Sequence, residues 1–239
     1  SRRCVGSGPA PFTGSPSAPS RRFLLPVRCG KGLKTGCAEQ RTNRNWIIRG
    51  IDIDSKHIAE CRKFFASSSL GNRTSFHQQD LILLAYNDAF DLVLTVDVME
   101  HINEDEKVFS NFYKALKNNG FLVISTPSDK GGSDVHDEND TSFIDEHVRD
   151  GYGKEEIKQK LAAAGFRNVT TEYTYGKPGS SSWQLSMKYP VKMLNISKLF
   201  FLILPVYYLI VFPVAFVLNT FDICMTHKSG TGLLVTAKK

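Results

Sequence analysis

Asp91-Leu92-Val93-Leu94-Thr95-Val96-Asp97, the turn Val98-Met99-Glu100-His101-Ile102 and the run Phe121-Leu122-Val123-Ile124-Ser125-Thr126-Pro127 decide the fold. Two apolar runs of strand length, joined by an amphipathic segment, make a strand–helix–strand unit. Runs apolar at nearly every position are buried on both faces, as parallel strands are. Between them Val108, Phe109, Phe112, Ala115 and Leu116 recur with helical spacing and form one apolar face. Asn103 is expected to cap this helix, with Glu106 as its capping-box partner. Asn118-Asn119-Gly120 stops it, because Asn and Gly tolerate a left-handed turn. The Asp97–Ile102 turn leaves the carboxyl end of a central strand, where open α/β sheets bind ligands.

Further strands flank the unit: a short one at Phe23–Val27, then Trp46–Asp52, Thr74–Asp80, Val169–Tyr175 and a last one at Gly232–Ala237. Asp54 or Ser55 can cap a helix that turns Ile58, Cys61 and Phe65 inward, and a second helix runs from Lys154 to Ala164, stopped by Gly165. Strand and helix alternating in this way predict an α/β fold with a doubly wound, mostly parallel, seven-stranded sheet.

The 239 residues carry a formal charge of +6, unevenly spread. Residues 1–49 hold ten Lys or Arg against Glu39, giving +9, and the other 190 hold 20 basic and 23 acidic residues, giving −3. The body of the fold therefore lacks the clustered cations that a nucleic-acid groove needs, and no nucleic-acid partner is expected. Residues 1–22, rich in Pro, Gly, Ser and Arg, read as a disordered or spurious leader. Five cysteines without a C-x-x-C pair suit a reducing compartment better than a disulfide or zinc framework.

Three features at strand ends carry chemistry. Asp52 closes the second strand twenty residues after Gly32, the arrangement in which a carboxylate accepts from ribose hydroxyls. It equally suits a cap on the next helix. Asp80 closes the third strand, where it can accept from an exocyclic amine or simply open a loop. The third is the Glu100-His101 turn.

With these three together, the sequence resembles class I S-adenosylmethionine-dependent methyltransferases, especially the small-molecule group sometimes called type 11. The matching pieces are Gly50-Ile51-Asp52-Ile53-Asp54, Gln79-Asp80, Phe90–Val93 with Val98–Ile102, and Leu116–Pro127, with His147-Val148-Arg149 and Ala164-Gly165-Phe166 also similar. The resemblance implies a Rossmann-like methyltransferase sheet, S-adenosylmethionine as cofactor, and cofactor contacts from Gly30, Gly32, Asp52, Ile53, Asp80, Leu81 and Asp97. It departs from the family at the first glycine motif, Leu24-Leu25-Pro26-Val27-Arg28-Cys29-Gly30-Lys31-Gly32, where Pro26 stands for the usual acid and Arg28 for the first glycine. Proline offers no backbone donor, and an arginine adds a side chain where the chain must approach its ligand closely.

The reaction implied is an in-line displacement driven mainly by orientation. His101 is the candidate general base, its alternative role being to hydrogen-bond the turn. The loop after the fifth strand reads as a substrate lid, with His147, Arg149 and Tyr152 as contacts. Its acids would suit magnesium, but nothing fixes their spacing, and no metal is predicted. Tyr113-Lys114-Ala115-Leu116-Lys117 matches the Y-x-x-x-K of short-chain dehydrogenases by coincidence, since it precedes the fifth strand.

Leu199–Leu218 contains twenty residues without a charge or amide, long enough to cross a bilayer. It lies between two strands that should share one sheet, so a single crossing is excluded. The expectation is an apolar helical insert, residues 188–229, that enters and leaves one leaflet with a bend near Pro205 or Pro213. Lys188, Lys192, Lys198 and Lys228 would meet anionic head groups, and Tyr207 and Tyr208 the interface. The alternative is a helical pair buried against protein. The domain itself would comprise residues 23–187 and 230–239. The reading that results is a methyltransferase acting on a small-molecule or lipid-like acceptor at the cytoplasmic membrane face, peripheral or monotopic. Its rivals are a non-catalytic membrane-associated module and, more weakly, an NAD-dependent oxidoreductase.

Overall fold

Apolar alternation and the spacing of caps produce the expected sheet. The computed structural model describes residues 21–26, 46–66, 68, 71–131 and 149–239. Gly30, Gly32, His147 and the acidic loop 132–148 lie outside the described residues. The strands are β1 (Arg21–Pro26), β2 (Trp46–Asp52), β3 (Thr74–Gln78), β4 (Phe90–Val96), β5 (Leu116–Pro127), β6 (Arg167–Thr174) and β7 (Gly232–Lys238). They form one sheet in the order β3-β2-β1-β4-β5-β7-β6. β1 to β5 pair in parallel, and β7 runs antiparallel between β5 and β6. The order reverses between β1 and β4, which opens a crevice at their carboxyl ends.

Both faces of the sheet are covered. On one, Leu24, Ile51, Val93, Leu122, Ile124 and Val235 pack under α2 (Asp105–Ala115) and α3 (Lys154–Ala163). On the other, Phe23, Leu25 and Ile48 meet Ile58, Cys61 and Phe65 of α1 (Ser55–Ala66). The Asp54 carboxylate caps α1 by accepting from the Lys56 N–H at 2.8 Å. Gly165, at φ +103°, ends the turn after α3 against the Tyr113 ring, where a side chain would be strained and crowded. α2 ends at Ala115, before the expected Asn118-Asn119-Gly120 stop; Leu116 already begins β5, and Asn119, at φ +66°, lies in the irregular part of that strand, where the register with β4 shifts.

Two expectations need correction here. β1 begins at Arg21 rather than Phe23, because Arg21 and Arg22 pair with Trp46 and Ile47 and the Arg22 N–H donates to Asp91 at 2.7 Å. Asn103 does not cap α2; the cap position is Glu104, without a side-chain bond, and the helix starts at Asp105.

Asp105 is instead the hub of a buried polar cluster. Its Oδ2 accepts from Arg149 at 2.6 Å, Lys160 at 2.7 Å and the Tyr152 hydroxyl at 2.8 Å. Burial alone would raise its pKa, but the hydrogen bonds from Lys160 and Tyr152 and the charge of Arg149 prevail and hold it below the ordinary carboxylate value. The Asp105→Asn variant is expected to lose about 2–3 kcal/mol at pH 7, since it removes the buried anion that Arg149 and Lys160 share and leaves them only the more exposed Glu156. A carboxyl depressed on folding stabilises above its unfolded pKa and loses that contribution as pH falls through the folded one. The gap between wild type and variant in urea unfolding should therefore close below about pH 4.

Candidate functional site

The carboxyl ends of β2, β3 and β4 converge on one edge of the sheet, and each carries an acid. Asp52, the last residue of β2, keeps its side chain 9 % exposed. One oxygen accepts from the Asp54 N–H at 2.8 Å and the other meets the His57 ring Nδ1 at 3.2 Å. Asp52 thus combines the two readings of its position: it shapes the turn into α1 and presents a held carboxylate at the crevice. Ile53 beside it is 68 % exposed, an apolar surface at the strand end with no protein to cover it. The Gln78 amide donates to the Ile53 carbonyl at 3.0 Å and ties β3 to this turn.

Asp80 opens a short 3₁₀ turn, Leu81–Leu83, by accepting from the Ile82 N–H at 2.9 Å through one oxygen. Asn111 of α2 donates to the Leu81 and Ile82 carbonyls, both at 3.0 Å, and fixes this turn from below. The Leu81 side chain is buried in the core, and its carbonyl also accepts from the Leu84 N–H at 3.3 Å. Asp97 follows β4 at φ +51°, exposed, with its N–H donating to the Ser125 carbonyl at 2.9 Å. A non-glycine residue held left-handed at a strand end is characteristic of functional turns.

Beyond Asp97 the chain makes a 3₁₀ turn, Met99–His101. Met99 and Glu100 are buried, and His101 is largely so. Thr126, near the end of β5, donates to Glu100 Oε2 at 3.2 Å, while the other Glu100 oxygen lies 3.7 Å from His101 Nε2. The Glu100 carboxylate, only 2 % exposed, thus lies between the Thr126 hydroxyl and the His101 ring and ties this turn to β5.

The expected lid contacts divide. Tyr152 is fully buried, its hydroxyl bonded to Asp105, so it braces the wall of the site rather than facing an acceptor. Arg149 reaches the Ile102 carbonyl at 3.1 Å as well as Asp105, clamping the loop's exit onto the turn that carries His101. The sequence reading missed this clamp, and it missed His57; the Asp52-x-Asp54-x-x-His57 spacing was the available signal. The Y-x-x-x-K residues have separate tasks, Tyr113 packing edge-on against Phe166 and Lys117 bonding Asp91 at 2.9 Å.

The donor set fits an adenosyl ligand. Carboxylates at successive strand ends suit vicinal hydroxyls and an exocyclic amine, and Ile53 offers a face for the base. Comparison with known proteins agrees. Residues 24–170 match the family model for a methyltransferase domain. The chain is 28 % identical over 144 residues to phosphoethanolamine N-methyltransferase 2 of Caenorhabditis elegans, covering 60 % of this chain and 32 % of that protein. It is 29 % identical over 103 residues to a ubiquinone biosynthesis O-methyltransferase of Pelagibacter ubique, covering 43 % and 41 %. The chain therefore spans less than half the length of these relatives.

Two solved structures share the fold. The Haemonchus contortus phosphoethanolamine N-methyltransferase 2 in complex with S-adenosyl-L-methionine superposes with a TM-score of 0.61 at 19 % identity, over 94 % of this chain and 50 % of that one. A SAM-dependent methyltransferase from Archaeoglobus fulgidus gives 0.55 at 16 %, over 92 % and 86 %. A family match across most of the sheet, joined to the acids at its carboxyl edge, leads to one conclusion: the chain belongs to the class I, S-adenosylmethionine-dependent methyltransferase family.

Proposed function

We propose that the protein transfers a methyl group from S-adenosylmethionine to a small-molecule or lipid-like acceptor, at a membrane surface. The observation that carries the reading is the line of acids along the carboxyl edge, ending in the Glu100–His101 pair beside β5. Asp52 would hold the ribose, Asp80 the adenine amine through its second oxygen, and Ile53 and the Leu81 main chain the base, with Asp97 at the methionine side. Gly30 and Gly32 are assigned to the same cofactor on the family pattern alone. The cofactor supplies a methyl on a positively charged sulfur, so the chain's own task is to align an acceptor atom with it. His101, backed by Glu100, would take the proton the acceptor gives up. Arg149 would keep that turn in place, and His147 remains the candidate for direct contact with the acceptor. The relatives' names span nitrogen and oxygen acceptors, which fits a site built for positioning more than for one head group.

The membrane part rests on the insert. Its helices are α4 (Lys177–Trp183), a π-helical turn (Gln184–Lys188), α5 (Tyr189–Ile196) and α6 (Leu204–Cys224). The first arm thus begins at Lys177 rather than Lys188. The chain reverses at Ser197–Ile203, ahead of Pro205, and α6 runs on through Pro213. The arms pack as a hairpin: Gly179 N–H donates to Asp222 at 2.9 Å, and Ser182 to the Ala215 carbonyl at 2.9 Å. α6 is long and apolar enough to cross a membrane, with a mean hydropathy of 1.8, and is almost wholly uncovered. Leu209, Ile210, Phe212, Phe216 and Val217 are all exposed.

Tyr207 and Tyr208 do not point to an interface as expected. They donate to the Leu185 and Ser186 carbonyls at 2.6 and 2.9 Å. Pro190 explains why. In the π turn the donor falls five residues on, where Leu185 finds a proline, so one N–H is missing from this stretch. The tyrosines satisfy carbonyls that water could satisfy in an exposed hairpin and lipid could not.

Orientation follows from charge. Ser181, Gln184, Lys188, Lys192 and Asn195 form a polar stripe on the first arm, about opposite its contact with α6. Standing the hairpin upright would sink Lys188, Lys192 and Lys198, at roughly 3 kcal/mol each near the bilayer centre. Lying flat, with α6 deeper and the stripe at the head groups, it avoids that cost.

Three outcomes test the reading. Asp52→Ala should weaken S-adenosylmethionine binding by about tenfold or more in calorimetric titration, the worth of a charge-assisted hydrogen-bond pair. His101→Gln should lower kcat by about 10²-fold or more and leave cofactor affinity in place, since only the proton acceptor is removed. In vesicle flotation the full chain should rise with anionic liposomes, and the Leu209→Glu/Phe216→Glu variant should stay at the bottom; equal recovery of the two would remove the membrane assignment.

A further inference from the structure

β6 ends and β7 begins at the same edge of the sheet as the crevice. β7 is antiparallel to β5, so its first residue, Gly232, lies opposite Pro127, the last residue of β5. Thr174, which ends β6, pairs with Gly232. Only Tyr175 and Gly176 separate Thr174 from the hairpin's first helix, a reach of about 7 Å. The hairpin is therefore rooted at the site-bearing edge. By strand spacing its roots lie on the order of 10–15 Å from the end of β4, where Glu100 and His101 stand.

The roots are also bolted to the start of the loop after β5. The Ser128 N–H donates to the Thr231 carbonyl at 3.0 Å, and its hydroxyl is bonded to the Gly230 carbonyl. A side chain at Gly131 would run into Thr231, and the Tyr173 hydroxyl reaches Asp129 at 3.4 Å. At the hairpin's base His227 bonds the Asp222 carbonyl at 2.9 Å and lies 3.1 Å from its carboxylate. Gly176 and Gly179 have no room for a Cβ against those two side chains. These bonds tie both ends of the hairpin to the start of the loop at the rim of the site. Residues 177–229 carry five lysines, and their one acid, Asp222, is consumed in this base, so the hairpin's free charge is all positive and suits an anionic lipid surface.

We propose that the acceptor is a membrane-resident amphiphile, drawn sideways from the leaflet in which the hairpin lies, with its tail remaining in lipid while its nucleophilic head enters beside His101. This rests on the methyl-transfer and membrane readings above and narrows them: water-soluble acceptors are excluded as the main substrates. In the transfer, a lone pair on the acceptor's nitrogen or oxygen forms the new bond to the methyl carbon as the carbon–sulfur bond breaks. The bonding electrons remain on sulfur, which becomes a neutral thioether, and any proton released from the acceptor passes to His101. A rigid root is what such a route needs, because it fixes the height of the crevice above the head groups.

The test uses the full chain with vesicles made from a total membrane lipid extract, an aqueous metabolite extract of the same cells, and S-adenosylmethionine labelled in its methyl group. The expected result is label recovered in the chloroform phase, at least tenfold above that in water-soluble products. It should fall at least tenfold in the Leu209→Glu/Phe216→Glu variant, with calorimetric affinity for S-adenosylmethionine unchanged. Label confined to the aqueous phase, or absent from the chloroform phase, overturns the proposal while flotation and cofactor binding by the wild type leave the parent reading standing. Loss of either of those two wild-type controls brings down the parent reading and this proposal with it.

Discussion

The antiparallel seat of β7 between β5 and β6 governs the rest of the molecule. Were the last strand parallel, whatever joins it to β6 would have to cross the full height of the sheet. Because it is antiparallel, the connection begins and ends at one edge, and that edge is the crevice. Any excursion inserted there must go out and come back, which accounts for a hairpin rather than a single helix. A twenty-residue apolar run that looks like one membrane crossing is thereby made to serve as half of a returning pair.

The sheet was legible because its signals are local and redundant. β4 and the Phe121–Pro127 part of β5 are mostly apolar, α2 shows one apolar face, and Gly165 sits where a left-handed turn is needed. The acids at strand ends were legible for the same reason, since the end of a strand is itself a sequence feature. The buried cluster at Asp105 was not. Its partners lie 44 to 55 residues away, and nothing in the pattern of charges distinguishes an Asp in a helix's first turn that faces solvent from one that faces Arg149, Tyr152 and Lys160. Asn103 made the misreading easier by offering an ordinary cap one residue early.

The hairpin's first arm escaped for a different reason. Lys177–Trp183 carries Pro178, Gly179 and three serines, small residues that are poor helix formers when exposed. Here they are contact residues. Gly179 and Ser182 let α6 approach closely and bond it, so helix formation is driven by packing against a partner far along the chain rather than by propensity. The tyrosine pair follows the same logic: Tyr207 and Tyr208 looked like interfacial anchors by composition, and their hydroxyls are held by the Leu185 and Ser186 carbonyls in the π turn ahead of Pro190.

Pro190 therefore deserves to be weighed as a choice between solvents. In water, freeing a carbonyl costs little, because water bonds it. In protein or lipid each unsatisfied group costs about 1–3 kcal/mol, more where no partner can be recruited. Tyrosines from the other arm meet both carbonyls, which suits the apolar surrounding proposed for the hairpin. A protein surface would be such a surrounding too, but it would need an extensive complementary apolar face and a counterpart for Lys188, Lys192 and Lys198. A leaflet with anionic head groups supplies both at once, apolar depth for Phe212 and Phe216 and negative charge above for the lysines. On the membrane reading proposed above, the same two-sided match would set which way the hairpin lies and, through its bonded roots, what the crevice faces.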